Sequence, residues 1–156
     1  MNTGYRTLSE SLPAWLLILC ILLMSVSPAL AGPFYQTRVK VIHATRGQAQ
    51  VDPGLEAIAR EIRSEFNYTR FKRINEKAMS LAQAEQGRLS LPENRALIIT
   101  PTGSNHRRIQ YHIRINAKGR PAFQTDVRLK NGASVTIGGP RLNKGIILIN
   151  IQGRVR

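Results

Sequence analysis

Histidine, cysteine and carboxylate side chains most often move protons, attack substrates or hold metals in proteins. The one cysteine of this sequence, Cys20, lies in an apolar segment near the N-terminus. His43, His106 and His112 show no spacing typical of a metal site. No serine lies in the context of a nucleophile elbow, and no glycine-rich segment carries the lysine of a phosphate-binding loop. We therefore predict a protein that is not an enzyme and has no catalytic residue, metal site or cofactor.

Arginine and lysine side chains offer a different chemistry, which is the binding of anions. Residues 32–156 contain 22 Lys and Arg but only 8 Asp and Glu. After residue 93, twelve bases stand against a single acid, Asp126. Such a field favours polyanions, anionic membrane surfaces or acidic protein partners. We predict an anion-binding patch on one side of a twisted sheet, formed by Arg107, Arg108, Arg114, Arg120, Arg128 and Lys130.

The single acid of this basic half is predicted to have a structural partner. Residues 109–115 and 123–129 both alternate between apolar and polar side chains, which is typical of two strands of a hairpin. With Ile115 opposite Phe123, His112 lies opposite Asp126. We interpret this pair as partial neutralisation of a basic sheet face, with an acid–base dyad as the alternative.

The N-terminal segment has the three parts of a secretory signal peptide. A polar stretch with Arg6 precedes an apolar run over residues 14–24, which is too short to span a bilayer. Ala29-Leu30-Ala31 then supplies small residues for signal peptidase. We predict cleavage between Ala31 and Gly32 and a periplasmic or extracellular location. An uncleaved N-terminal anchor is the alternative.

Predicted secondary structure over residues 32–100 begins with a strand over residues 37–43 and continues with an amphipathic helix. Asp52 is predicted to cap the helix and Pro53 to lie in its first turn. The apolar stripe of the helix consists of Leu55, Ile58, Ala59, Ile62 and Phe66. Short strands are predicted over residues 68–74, 77–82, 88–91 and 96–100, with turns at residues 92–94 and 101–105.

The C-terminal third is predicted to be entirely β-structure. Lys130-Asn131-Gly132 fits a three-residue hairpin loop, which would pair Val127 with Val135 and place Gly132 in a left-handed conformation. Residues 146–151 are almost wholly apolar, which indicates a strand covered on both faces. We expect one domain, residues 32–156, of α+β class. It would be a mostly antiparallel β-sandwich or curled sheet with one amphipathic helix near the N-terminus of the mature chain.

Several segments resemble small uncharacterised exported proteins of proteobacteria, which are rich in β-structure. They are residues 39–44, 52–55, 123–129, 138–142 and 146–149. In addition, residues 130–139, which read Lys-Asn-Gly-Ala-Ser-Val-Thr-Ile-Gly-Gly, are similar to a β-hairpin of bacterial secretins. The chain is too short to be a secretin, so this resemblance implies a β-rich accessory of an envelope or secretion assembly.

Together, these features predict an exported, non-enzymatic binding or accessory protein of the bacterial cell envelope. Its partner would be an envelope protein. The alternative is a soluble protein that binds a polyanion such as lipopolysaccharide, an acidic polysaccharide or extracellular DNA through the C-terminal basic patch. Export argues against an intracellular nucleic acid as the ligand.

The predicted cleavage site can be tested by intact mass spectrometry of the exported protein. We expect a mass that corresponds to residues 32–156, because the small residues before Gly32 follow the apolar run at the spacing that signal peptidase requires. A mass that includes residues 1–31 would contradict the prediction and favour a membrane anchor.

Overall fold

The computed structural model of this chain describes residues 32–105 and 107–156. The predicted signal peptide, residues 1–31, lies outside the described residues, as does His106. In the described part the chain forms one helix, α1 (Glu56–Glu65), and nine strands. The strands are β1 (Tyr35–Thr45), β2 (Gln50–Val51), β3 (Arg70–Leu81), β4 (Gly87–Leu91), β5 (Arg95–Asn105), β6 (Arg108–Ala117), β7 (Arg120–Lys130), β8 (Ser134–Leu142) and β9 (Gly145–Val155).

The strands form two sheets that pack against each other, which confirms the predicted α+β, sandwich-like fold. A five-stranded sheet has the order β2-β3-β1-β9-β8, and a four-stranded sheet has the order β4-β5-β6-β7. Pairing is antiparallel throughout except between the two-residue β2 and β3. Consecutive strands pair in the four-stranded sheet, whereas the first and last strands pair in the middle of the other. The helix follows β1 and β2 in the chain.

Alternating apolar side chains fill the space between the two sheets. Tyr35, Val39 and Val41 of β1 are fully buried there, because every second residue of a strand points to the same face. The predicted core face of β6 meets them, and it consists of Ile109, Tyr111, Ile113 and Ile115. Each large apolar side chain that is buried in this way contributes roughly 1.5–3 kcal/mol to folding. This layer therefore holds the two sheets together.

A second apolar cluster lies on the outer face of the five-stranded sheet, beneath α1. Ile58, Ala59 and Ile62 of the helix pack against Ile42 of β1 and Leu148 of β9. Since β9 also buries Ile147, Ile149 and Ile151 in the core between the sheets, it is covered on both faces, as its sequence predicts.

The start of the helix differs from the prediction. Gly54 has a φ of 79°, so the helix cannot run through it, and Leu55 takes the N-cap position without a side-chain hydrogen bond. The Asp52 carboxylate instead accepts a hydrogen bond of 2.9 Å from the N–H of Arg73. Asp52 as the helix cap was therefore wrong. Hydrogen bonds from the main-chain N–H groups of Glu56 and Gly54 lower the pKa of the Glu56 carboxyl.

The far end of the helix also corrects the predicted stripe. Phe66 lies just beyond α1 in an extended conformation, and 57% of it is exposed. The last turn is held instead by Arg63, whose guanidinium donates to the Thr69 carbonyl at 2.7 Å and lies 5.4 Å from the centre of the Phe71 ring. The buried part of the stripe therefore ends at Ile62.

Two strands are longer than predicted. The segments predicted at 68–74 and 77–82 form one strand, β3, which pairs with β1 along its length and accommodates a bulge between Val41 and Ile42. The predicted turn at 101–105 is the second half of β5, where the register with β6 shifts between Pro101 and Gly103. In both strands the polar and turn-forming residues predicted an interruption, but the chain continues as a strand with a local shift in register.

The predicted β7–β8 hairpin does not form. β7 pairs with β6 in the four-stranded sheet, and β8 pairs with β9 in the five-stranded sheet. The pairing of Val127 with Val135 was therefore wrong, although Gly132 has the expected left-handed conformation, with a φ of 84°. The loop that contains Gly132 connects β7 in one sheet to β8 in the other. The Gly132 N–H donates a hydrogen bond of 2.7 Å to the Gly153 carbonyl, which fixes this loop against β9.

A buried hydroxyl pair links the two sheets. The Tyr111 hydroxyl of β6 and the Thr37 hydroxyl of β1 share a hydrogen bond of 2.8 Å inside the core. Gly153 provides the necessary space, because a Cβ atom there would lie 2.6 Å from the Tyr111 hydroxyl. Burial raises the pKa of Tyr111, although the hydrogen bond to Thr37 opposes that shift.

Within residues 32–105 and 107–156, no helix combines the length and apolar character needed to cross a membrane.

Replacement of Ile62 by alanine should test the packing of the helix. We expect Ile62→Ala to lower the free energy of unfolding by about 2–5 kcal/mol, because the side chain is 7% exposed and lies between α1 and the sheet. Phe66→Ala serves as the control, since that exposed ring should cost much less. Thermal or urea unfolding measures both losses. Equal losses in the two variants would contradict the packing described here.

Alkaline unfolding should report on the buried Tyr111 hydroxyl. Its ordinary pKa is 10.0, and the folded protein raises it. Above pH 10 the unfolded chain therefore loses this proton while the folded chain keeps it, so stability present below pH 10 is lost as the pH rises through the folded pKa. In Tyr111→Phe, the free energy of unfolding should fall less steeply above pH 10 than in the parent. Parallel pH profiles would show that this hydroxyl does not contribute.

Candidate anion-binding surface

The outward face of the four-stranded sheet is built by the alternation of β6. Its apolar residues point into the core, so Arg108, Gln110, His112, Arg114 and Asn116 point away from the other sheet. The same face of β7 follows from the strand register. Arg108 lies opposite Lys130, Gln110 opposite Arg128, His112 opposite Asp126 and Arg114 opposite Gln124.

Four of the six predicted anion-binding residues therefore share one face. They are Arg108, Arg114, Arg128 and Lys130. Arg108 and Lys130 are directly opposite each other at one end of the strand pair, an arrangement in which like charges repel. In the described part of the chain, none of the four has a carboxylate within the 4.0 Å of an ion pair. The face therefore carries largely unbalanced positive charge.

The other two predicted residues lie elsewhere. Arg120 lies opposite Ala117 at the end of the hairpin. Ala117 follows the outward-pointing Asn116, so Ala117 and Arg120 both lie on the opposite side of the sheet from the basic residues. Arg107 lies in the turn before β6, where its carbonyl accepts a hydrogen bond of 2.8 Å from Asn131. Arg107 is exposed beside the face, whereas Arg120 is not part of it.

The predicted pairing of His112 with Asp126 is confirmed. The His112 Nδ1 atom lies 2.8 Å from Asp126 Oδ1, and the two residues are opposite in register. Both side chains are open to solvent, with 37% and 81% of their surface exposed. Asp126 thus places one negative charge among the cations of this face, as the structural interpretation expects.

Sequence reasoning missed a fifth cation on this face, Arg88 of β4. Arg88 lies opposite Ile98, which in turn lies opposite Arg114, so the three form a row across β4, β5 and β6. Ile98 is only 6% exposed although it points outwards, and it lines a surface cavity of about 370 Å³ together with both arginines. Arginine stems commonly cover apolar surface in this manner. The signal for Arg88 was its alternation with Leu89, but only the strand order places it near Arg114.

Two buried polar atoms of residues that line this cavity have no hydrogen-bond partner. They are Nε of Arg114, which is a donor, and Oδ1 of Asn116, which is an acceptor. Both are shielded from solvent, and leaving such a group unpaired typically costs about 1–3 kcal/mol. A group that accepts from Arg114 and donates to Asn116, after a small movement of these surface side chains, would remove that cost. We call Arg88, Arg108, Arg114, Arg128 and Lys130, together with this cavity, the basic face.

Other site chemistry is sparse in the part of the chain that the structure describes. No three His, Cys, Asp or Glu side chains come together there as a metal site would require. Tyr111 is buried in the core, and Phe123 points to the core side of β7, so neither offers a ring on the basic face.

Comparisons with protein-family models, curated proteins and solved structures found no match to this chain. The resemblance to small exported proteins of proteobacteria stays a prediction.

Proposed function

We propose that this protein is an exported, non-enzymatic binding protein of the bacterial cell envelope and that it holds an acidic polysaccharide on the basic face. The observation that carries this proposal is that Arg114 and Asn116, which line a cavity with Arg88, hold a buried donor and a buried acceptor that have no hydrogen-bond partner. The signal peptide expected over residues 1–31 supports the location. The binding role rests on the face itself.

Charge supports an anionic ligand. The basic face carries five cations, and the one acid on it, Asp126, is hydrogen-bonded to His112. Arg108 and Lys130 face each other without a carboxylate between them in the described chain. An anion placed between them replaces repulsion with attraction, and guanidinium groups bind carboxylate and sulfate oxygens in a bidentate manner.

The cavity favours a sugar polymer over a nucleic acid. A polysaccharide has acidic groups that accept from Arg114 and hydroxyl groups that donate to Asn116, so one ligand satisfies both atoms. The backbone of duplex DNA presents phosphates without hydroxyl donors. Single strands usually stack on exposed aromatic rings, and the basic face has none among its described residues.

A protein partner is the second candidate, and the open edge of β7 favours it. β7 has eleven residues and pairs on one side only, with β6, within the described chain. An extended segment of an envelope protein could add to that edge through main-chain hydrogen bonds. Phe123, 41% exposed, would contact such a segment. Pro121 lacks an N–H, which limits the pairing to the rest of the strand.

Binding to a polygalacturonate oligosaccharide and to a DNA duplex of equal charge should distinguish these ligands. We expect tighter binding to the oligosaccharide, and Asn116→Ala should reduce that preference without changing the salt dependence for DNA. Arg114→Gln/Arg128→Gln should weaken both ligands and flatten the log–log salt slope for DNA by about two, because each phosphate contact contributes about 0.9. Fluorescence anisotropy at several salt concentrations measures all of these quantities.

The matched control is Arg46→Gln/Arg60→Gln, which removes the same charge from exposed positions in the β1–β2 loop and on α1. An equal loss in both double variants would show that net charge drives binding. Equal affinity for the sugar and the duplex would contradict the role of Arg114 and Asn116. If neither polymer binds but an envelope protein stays bound at moderate salt, the edge of β7 becomes the preferred site.

A further inference from the structure

The outer face of the five-stranded sheet has two unlike halves. The helix covers the half that contains Ile42, Ala44 and Leu148. The other half is polar and contains a surface cleft of about 300 Å³, which lies across β1 and β9 between β3 and the loop that holds Gly132. We call it the arginine cleft, and the residues that define it are Gln36, Arg38, Gln152, Arg154 and Arg156.

Strand register places the cations of this cleft in a diagonal pattern. Arg38 lies opposite Gln152, and Gln36 lies opposite Arg154, so each of these two arginines has an amide as its direct neighbour. Two residues further along each strand, Arg156 and Phe34 exchange main-chain hydrogen bonds of 2.9 and 3.3 Å. Diagonal neighbours across two strands are within reach of long side chains. Three guanidinium groups can therefore approach one small ligand without facing one another directly.

The charge of the cleft is only partly balanced. Glu76 approaches Arg38 at 3.9 Å, but its other oxygen lies 2.8 Å from Arg73, so this carboxylate is shared. Within the described residues, Arg154 and Arg156 have no Asp or Glu carboxylate within ion-pair distance. The cleft thus concentrates more positive charge than the one nearby acid can neutralise.

The side-chain amides of Gln36 and Gln152 each form a hydrogen bond that uses only one of their N–H groups. Gln36 donates to the Ser80 hydroxyl at 3.0 Å, and Gln152 donates to the Gly132 carbonyl at 3.4 Å. Each amide nitrogen carries two hydrogens, so a second N–H remains available for a ligand. The cleft therefore combines three guanidinium groups with two neutral amide N–H donors.

From this arrangement we propose that the arginine cleft binds a phosphate monoester. A monoester carries close to two negative charges at neutral pH and three terminal oxygens. The oxygens equal the guanidinium groups in number, and the two negative charges balance the three arginines once the nearby Glu76 is counted. A phosphodiester has one charge and two free oxygens, so it uses less of the cleft. This site lies on the opposite side of the sandwich from the basic face, so it does not depend on the function proposed there.

Calorimetric titration of the purified protein with glycerol phosphate, at constant ionic strength, tests the proposal. Arg38→Gln/Arg154→Gln should weaken binding by at least about tenfold, because two charge-assisted contacts are lost. Arg46→Gln/Arg60→Gln, which removes the same charge from exposed positions outside both candidate sites, is the control and should leave the affinity within about twofold, because neither residue lines the cleft. Equal losses in the two variants would overturn the proposal, as would the absence of binding up to about 10 mM.

The charge of the ligand provides a second readout. The second pKa of a phosphate monoester is near 6, so affinity for glycerol phosphate should fall roughly tenfold between pH 7.5 and 5, while affinity for sulfate stays nearly constant. The ionisable side chains at the cleft are its three arginines and Glu76, whose carboxylate also binds Arg73, and none of the lining residues is a histidine. Equal, pH-independent affinity for phosphate and sulfate would overturn the requirement for a dianion.

Vesicles distinguish a soluble monoester from a lipid headgroup. Phosphatidylcholine vesicles that contain phosphatidic acid should be bound if the source is a membrane, and Arg38→Gln/Arg154→Gln should abolish that binding. A soluble source is supported if glycerol phosphate binds and the vesicles do not. Equal vesicle binding by the two double variants would assign the membrane contact to general charge and overturn a lipid role for the cleft. Loss of polysaccharide binding alone would contradict only the basic face.

Discussion

The pairing of β1 with β9 is the interaction on which the rest of this structure depends. Eleven residues of each strand are in register, from Tyr35 opposite Val155 to Thr45 opposite Gly145. Their inner faces supply one side of the core, and their outer faces support both the helix and the arginine cleft. Gly145 allows the close approach at one end, because a Cβ atom there would collide with the Ala44 carbonyl. If this pair is lost, both sheet faces and both apolar clusters lose their support.

The two candidate sites use the same construction in different ways. In each, alternation sends every second residue of a strand away from the core, and neighbouring strands bring distant cations together. On the basic face the cations come from a meander, so Arg108 and Arg128 are twenty residues apart in sequence. In the arginine cleft they come from the two ends of the domain, so Arg38 and Arg154 meet only through the β1–β9 register. Four cations of the first site follow from the β6–β7 hairpin and Arg88 is added by β4, whereas the second site requires the pairing of the first strand with the last.

That difference explains what the sequence could predict. Alternation over residues 109–115 and 123–129 was sufficient for the hairpin, its register and the contact of His112 with Asp126. It was not sufficient for Lys130-Asn131-Gly132, because a left-handed glycine suits a hairpin and a crossover between sheets equally well. Asp52 likewise suits a helix cap, but the nearby N–H of Arg73 competes for its carboxylate. Neither Arg88 nor the arginine cleft could be found without strand order, since local pattern does not specify which strands become neighbours.

The four-stranded sheet is a continuous excursion of the chain, which leaves the larger sheet after β3 and returns to it with β8. This order has a consequence for how the chain reaches its native state. The meander of β4 to β7 contains only contacts between successive strands, so it can form early and quickly. β1, in contrast, must wait for β9, more than a hundred residues later, before its second neighbour exists. Until the final strand has emerged from a ribosome or a translocation channel, the sheet beneath the helix lacks a central member. A chain with this topology therefore cannot complete its native fold before β9 is available to pair with β1.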